Sequence, residues 1–288
     1  MSVIKKNIFD ENSLKQEFAK LAIPKGSNIE MHSSLSSFGF IKGGSKTLIK
    51  IIKEIIGKNG LILMPALTLE TEVSKEFSET INSEPESLDV EKLKKKQKYF
   101  DENMPVSKEI GIVAETFRKD KETYRTNHPY LSVSLWGANA KKLAEYYSNK
   151  DTSMSEHSPI GEILKNDGYV LTLGTDFSTI CLLHTAEYLA KVPYTKYKKF
   201  SATKINHKKI IKELYSTGHS MEFRKLEGFL YTDQISNKSI QIGDSTVRLI
   251  KAKDLVNCAV NILKQDPSFF LCKDLGCITC QARRRYLN

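Results

Sequence analysis

His184 and Glu187 lie three residues apart in a stretch, 179–190, whose apolar spacing predicts a helix. On a helix that separation puts both side chains on one face. An imidazole that accepts a proton becomes cationic, and a neighbouring carboxylate stabilises the cation and fixes the ring tautomer. Such a pair suits general-base chemistry, in which an attacking amine loses its proton as it bonds to a carbonyl carbon. The same spacing also describes a histidine at a helix start beside a solvated glutamate, so alone it does not define a site.

A second polar group, Met31-His32-Ser33-Ser34, closes a strand pattern and runs through Leu35 into a loop with Gly39, Gly43 and Gly44. Hydroxyls and backbone N–H groups at such a strand end can bind a carbonyl oxygen as it turns negative. Glycines ahead of a helix leave N–H groups facing outward, which suits a phosphate. The loop is not an ATP-binding P-loop, because Ser45 stands where the motif requires lysine. Ser33 or Ser34 with His184 and Glu187 would resemble a hydrolase set, but no G-x-S-x-G elbow is present.

Arg125, His128 and Ser132 form a third group. His128 precedes Pro129, which favours extended backbone. One reading places His128 and Ser132 in the cleft with Arg125 on a phosphate; the other has His128 bonding across a turn. Asp176 precedes the His184 helix, as an N-cap or an acceptor contact. Cys277-x-x-Cys280 is half of a zinc site and Cys272 offers a third thiolate, but no local fourth ligand follows. Free thiols in a solvated tail are therefore expected, with no metal required. His157, His207 and His219 sit among polar residues and read as surface histidines.

Strand and helix patterns must position these groups. A helix is expected over 12–23, a strand from 27, a helix over 45–56, and a buried strand over 61–64. Further helices are expected over 107–119 with Ser107 as N-cap, 137–147, 159–164, 207–216 and 252–264. Strands are expected over 131–136 and 169–173 and around Phe229 and Val247. The alternation predicts an α/β sandwich, helices around a central mixed β-sheet. A single unit, 1–288, is expected, with a charged excursion or flap over 69–104 and a Cys/Arg-rich tail over 271–288. In open α/β sheets ligands bind where the parallel strands end, and His32 to Ser34 lie at such an end.

The 288 residues are 40% hydrophobic and 27% charged, with five cysteines. The odd cysteine count fits a reducing compartment better than a disulfide framework. No apolar run is long enough to cross a bilayer, and the N-terminus has no apolar signal core. The expectation is a soluble cytoplasmic protein, monomer or homodimer, with no membrane partner. A net charge of +10 favours anionic ligands. The lysines are spread along the chain rather than gathered with aromatics, so no nucleic-acid module emerges.

Ordered segments carry a resemblance. MHSSLSSFG with Gly43-Gly44 and GLILMPALT, then PVSKEIGIVAETF with Arg118, then Arg125-Thr126-Asn127-His128-Pro129 with Ser132, then Ser158-Pro159-Ile160-Gly161, then Leu183-His184-Thr185-Ala186-Glu187 resemble the aminoglycoside 3-N-acetyltransferase family, whose fold is unrelated to GNAT acetyltransferases. The resemblance implies a coenzyme A-dependent N-acyltransferase, with acetyl-CoA as co-substrate. The acceptor would be an amine of an aminoglycoside or another amino sugar. His184 would be the general base, assisted by Glu187. His32, Ser33, Ser34, Leu35, Gly39, Gly43, Gly44 and Arg125 would hold the cofactor, and His128, Ser132 and Asp176 the acceptor. The alternative is a basic anion- or nucleic-acid-binding α/β protein without acyltransferase activity. The charge complicates the acceptor: a polycationic antibiotic needs clustered carboxylates, which the acidic residues of 70–91 could supply, whereas a nucleotide-linked amino sugar suits a protein that is basic as a whole.

Overall fold

A computed structural model describes residues 7–74, 94–148, 154–205 and 207–287. In chain order its elements are β1 (Ile8–Phe9), α1 (Glu11–Ala19), β2 (Asn28–Ser33), β3 (Phe40–Ile41), α2 (Gly44–Ile56), β4 (Leu61–Pro65), β5 (Glu72–Val73), α3 (Ile112–Arg118), β6 (Thr123–Arg125) and β7 (Val133–Gly137). There follow α4 (Ala140–Tyr147), α5 (Gly161–Lys165), β8 (Tyr169–Leu173), α6 (Leu182–Leu189), β9 (Lys198–Ile205), β10 (Lys208–Tyr215), β11 (Asn237–Ile242), β12 (Ser245–Lys251), α7 (Ala252–Gln265) and α8 (Ile278–Arg284).

Strand alternation builds the centre. Side chains along a strand point to opposite faces. Ile29 and Met31 of β2, Ile62 and Met64 of β4, and Leu171 and Leu173 of β8 share one apolar cluster with α1, α2 and α3. Leu61, Leu63 and Val170 turn the other way, into a second cluster with α4, α6 and α7. Seven strands run β11-β12-β8-β2-β4-β7-β6. The inner three, β8, β2 and β4, are parallel, and the outer pairings are antiparallel. This is the mixed sheet between helical layers that the alternation predicts. The α2 helix shows the driving force: Leu48, Ile49, Ile51, Ile52 and Ile56 are all buried, each worth about 1.5–3 kcal/mol on transfer from water.

Several expectations need correction. The 12–23 helix is shorter, ending at Ala19, and is opened by Asp10, whose carboxylate accepts the Ser13 N–H at 2.8 Å. The helix expected over 107–119 is split. Lys108–Ile110 is a 3₁₀ turn, and Gly111 at φ +93° resets the chain before α3. Ser107 makes no cap for the turn that follows it; its hydroxyl donates to Glu70 and accepts the Leu69 N–H. Residues 208–215 are a strand, not a helix, paired antiparallel with β9. Phe229 lies in a 3₁₀ run, Met221–Tyr231, rather than a strand. Of the excursion, 75–93 fall outside the described residues. Its flanks join a second sheet, β10-β9-β5, and Phe100 bridges Thr203. The tail is packed: α8 buries Cys280 and Arg283. No helix among the described residues is long and apolar enough to cross a membrane.

Candidate active site

The carboxyl ends of β2, β4 and β8 open into a cleft of about 940 Å³. One wall carries His32, Ser33, Ser34, Leu35, Gly39 and Gly44. His184 lies in the cleft, and a segment with Gly218, His219 and Ser220 lies along another wall. A larger, shallower groove of about 1520 Å³ runs along α2 and α3 among Lys46, Lys50, Lys53 and Lys119. The larger groove contains none of the histidine or serine candidates, so size misplaces the chemistry and the smaller cleft is the site.

The α6 helix positions His184. Its N-cap residue, Cys181, makes no side-chain capping bond. The cap comes from across the sheet: Glu30 of β2 accepts the Leu182 N–H at 3.1 and 3.3 Å on its two oxygens. A carboxylate there satisfies an orphan donor and faces the positive end of the helix dipole. Glu30 is fully buried, and His32 Nε2 stands 3.0 Å from its Oε1, close in charge but off hydrogen-bond direction. Replacing Glu30 with alanine is expected to lower stability by about 1–3 kcal/mol, because Leu182 loses its acceptor. Glu30→Gln should recover part of that loss. A urea unfolding midpoint for the alanine variant equal to wild type would remove Glu30 from this role.

His184 Nδ1 is 2.8 Å from Glu187 Oε2, and Tyr194 donates its hydroxyl to Glu187 Oε1 at 2.9 Å. Both members of the pair are nearly buried, and Phe223 packs edge-on against the imidazole with centroids 4.8 Å apart. Burial, and then the Glu187 carboxylate, hold the Tyr194 hydroxyl well above the ordinary phenol range, so it keeps the proton it donates. A tautomer that places the proton on Nδ1, toward Glu187, would leave Nε2 as the ring's proton acceptor.

In the same cleft, β2 ends in a 3₁₀ turn, Leu35–Phe38. The Ser34 N–H is spent on Leu173 O at 2.9 Å. The N–H groups of Leu35 and Ser36 open the turn, and the buried Ser33 hydroxyl has no partner among the described residues. Gly39 has φ +92°, and a side chain there would meet Asn7 O at 2.6 Å. Gly43, in the left-handed region, caps α2 but does not line the cleft.

Four further candidates are not brought to the cleft. Arg125 directs its donors to Ala66 O (2.6 Å), Met104 O, Glu102 O (3.4 Å) and Ser132 Oγ (2.9 Å). Ser132 is fully buried and donates to Ala66 O at 2.6 Å. His128 Nδ1 accepts the N–H groups of Tyr130 and Leu131 at 3.2 and 2.8 Å, which is the turn reading. Asp176 caps the Phe177–Thr179 turn and pairs with Arg224 at 2.7 Å. His219 is not a solvated histidine; it lines the cleft and touches Cys277 and Cys280. Glu30, Tyr194 and Phe223 were missed. The signal for Glu30 is an acid within the apolar run Ile29 to Met31, and Tyr194 and Phe223 leave none.

A family model described as aminoglycoside 3-N-acetyltransferase matches residues 31–264. The SPbeta prophage-derived aminoglycoside N(3')-acetyltransferase-like protein YokD of Bacillus subtilis (strain 168) is 28% identical over 251 residues, 86% of this chain and 90% of that protein. The aminoglycoside acetyltransferase AAC(3)-IVa apoenzyme superposes with a TM-score of 0.81 at 24% identity, covering 99% of this chain and 100% of that one. AAC-IIIb, solved as a binary complex with CoASH, gives 0.74 at 22% identity, covering 90% and 97%. The chain is thus an N-acetyltransferase and belongs to the aminoglycoside 3-N-acetyltransferase family.

Proposed function

We propose that the chain transfers the acetyl group of acetyl-CoA to an amine of an aminoglycoside, with His184 as general base. The observation that carries this is the Tyr194–Glu187–His184 relay, 2.9 and 2.8 Å link by link, whose His184 end lies in one cleft with the Ser33–Leu35 turn. The acceptor nitrogen attacks the thioester carbonyl while His184 Nε2 takes its proton. Glu187 stabilises the imidazolium that forms. The carbonyl oxygen gains charge near the N–H groups of Leu35 and Ser36 and the Ser33 hydroxyl. The carbon–sulfur bond then breaks, and the coenzyme A thiolate leaves with the proton His184 took. No serine nucleophile is needed. Gly39 and Gly44 let the pantetheine and phosphates approach the backbone ahead of α2. The co-substrate assignment is supported by similar AAC-IIIb, solved with CoASH. The acceptor class is supported by an AAC(3)-IVa mutant solved with apramycin.

One observation favours a second acceptor class. Among the described residues the charged lining consists of Glu109 and Lys199, the latter paired with Glu72 at 2.7 Å. That is not the acidic cluster a polycation needs, and the protein carries +10 overall. An anionic acceptor such as a nucleotide-linked amino sugar fits this lining. The test is thiol release from acetyl-CoA with aminoglycosides and with nucleotide amino sugars. Release with aminoglycosides supports the leading reading, and release only with the nucleotide sugars supports the second. Release from neither, with stabilisation by oligonucleotides, returns the protein to an anion-binding role.

A further inference from the structure

Cys272, Cys277, Cys280 and His219 converge behind the cleft wall. Their ligand atoms all lie within 4.8 Å of one another. His219 Nε2 stands 3.2 Å from Cys277 Sγ and 3.0 Å from Cys280 Sγ. The ligands of a tetrahedral zinc, at Zn–S of about 2.3 Å and Zn–N of about 2.0–2.1 Å, stand roughly 3.5–3.8 Å apart. The four groups are therefore gathered on the scale of one ion. Three of them come from a short tail segment, and the fourth lies 58 residues before Cys277. Its distance in the chain is why the tail alone shows only part of a set.

The surroundings suit thiolates. The Cys272 N–H donates to Cys280 Sγ at 3.4 Å. Cys277 stands at the N-cap position of α8. Three thiolates and one divalent ion leave a net negative charge, and cationic side chains stand beside it. Arg284 donates to Cys272 O, and Arg283 to Thr279 O at 3.0 Å. Soft thiolates with an imidazole select zinc over magnesium or calcium, which prefer oxygen.

We propose that Cys272, Cys277, Cys280 and His219 bind one structural zinc ion that pins α8 to the 216–221 wall of the cleft. Each thiol loses its proton to solvent as its sulfur bonds the ion, and His219 binds as neutral imidazole. All four positions are taken by protein, so the ion takes no part in acetyl transfer. Its effect on function is mechanical. Thr217, Gly218, His219, Ser220 and Met221 line the same cleft as Ser33–Ser36 and Gly39. Arg283 fastens the same segment through Ser216 Oγ at 3.4 Å and Thr217 O. The ion and this arginine hold one wall in register with His184.

The test uses untagged full-length protein, expressed with zinc and purified without chelator under reducing conditions. Elemental analysis is expected to find about one zinc per chain, surviving dialysis. Replacement by cobalt(II) should give thiolate-to-cobalt charge-transfer absorption and tetrahedral d–d bands. Cys277→Ser and His219→Ala should lose both signals, while Cys258→Ala, in the core away from the cluster, keeps them. Because a ligand variant can misfold, the wild type is also treated with a mercurial while a colorimetric chelator reports zinc release. Release of zinc with loss of thermal stability supports the site. Metal-free protein that takes up neither zinc nor cobalt overturns it. So does metal content unchanged in Cys277→Ser, or an intact mass showing a disulfide among the three cysteines.

Discussion

His184→Ala is expected to lower kcat by about 10²–10⁴-fold, the usual worth of a positioned general base. Coenzyme A affinity should move by less than roughly twofold, because the role proposed for the imidazole is on the acceptor nitrogen. The geometry is specific about direction. Nδ1 faces Glu187 at 2.8 Å, so only Nε2 is left to take a proton. Raising pH should recover part of the lost rate, as more acceptor amine arrives already deprotonated. Glu187→Gln should fall between wild type and His184→Ala, since an amide still accepts a hydrogen bond but does not stabilise the imidazolium by charge. The measurement is steady-state kinetics across pH, with coenzyme A binding by calorimetry. Wild-type turnover in His184→Ala would move the base elsewhere, whatever the calorimetry showed.

Arg125→Met is expected to cost about 3 kcal/mol of folding stability and leave the KM for acetyl-CoA unchanged. Its guanidinium is largely buried, bonds to three backbone carbonyls and Ser132, and lies over the Phe100 ring at 5.0 Å. Burial pulls its pKa down to about 10, with Arg118 adding repulsion, so it remains charged at neutral pH, with four hydrogen bonds already made within the fold. Methionine keeps part of the volume and strands those carbonyls. Chemical unfolding reads the loss. A variant of normal stability whose KM for acetyl-CoA rose about tenfold would instead put Arg125 on a cofactor phosphate.

Much of the scaffold is written locally. The apolar stretches that became β2, β4 and β8 alternate sides or are buried throughout, and α2 carries a clear apolar stripe, so sheet and helices can be read from periodicity. What misleads is periodicity without context. Ile210, Ile211 and Leu214 fit one face of a helix as well as they fit a strand. The strand wins because β9 offers eight paired positions and His207 sits at φ +65°, at the near end of the returning strand. Ser107 has the composition of a cap, but Gly111 four residues later interrupts the helix it would serve.

The site divides in the same way. His184 and Glu187 are legible because both lie on one helical turn. Arg125, His128 and Ser132 look equally chemical in one dimension, yet Arg125 and Ser132 bond to carbonyls and to each other, and His128 Nδ1 accepts two backbone N–H groups, contacts that only folding creates. The cap supplied by Glu30 and the ligand set completed by His219 depend on contacts between distant parts of the chain. No spacing rule along the chain announces either.

Among the described residues, β5, β9 and β10 form a ladder of their own, sharing no strand pairing with the seven-stranded sheet that bears His32 and Ser33. Lys199 reaches the cleft from that ladder. The strand that carries Lys199 to the cleft and the strand that carries His32 and Ser33 thus belong to separate ladders. Under the proposed acetyl transfer, substitutions in β9 and β10 are expected to leave the register of the larger sheet unchanged. Grafting β9 and β10 from a relative is accordingly the exchange expected to shift acceptor preference while acetyl-CoA turnover is kept.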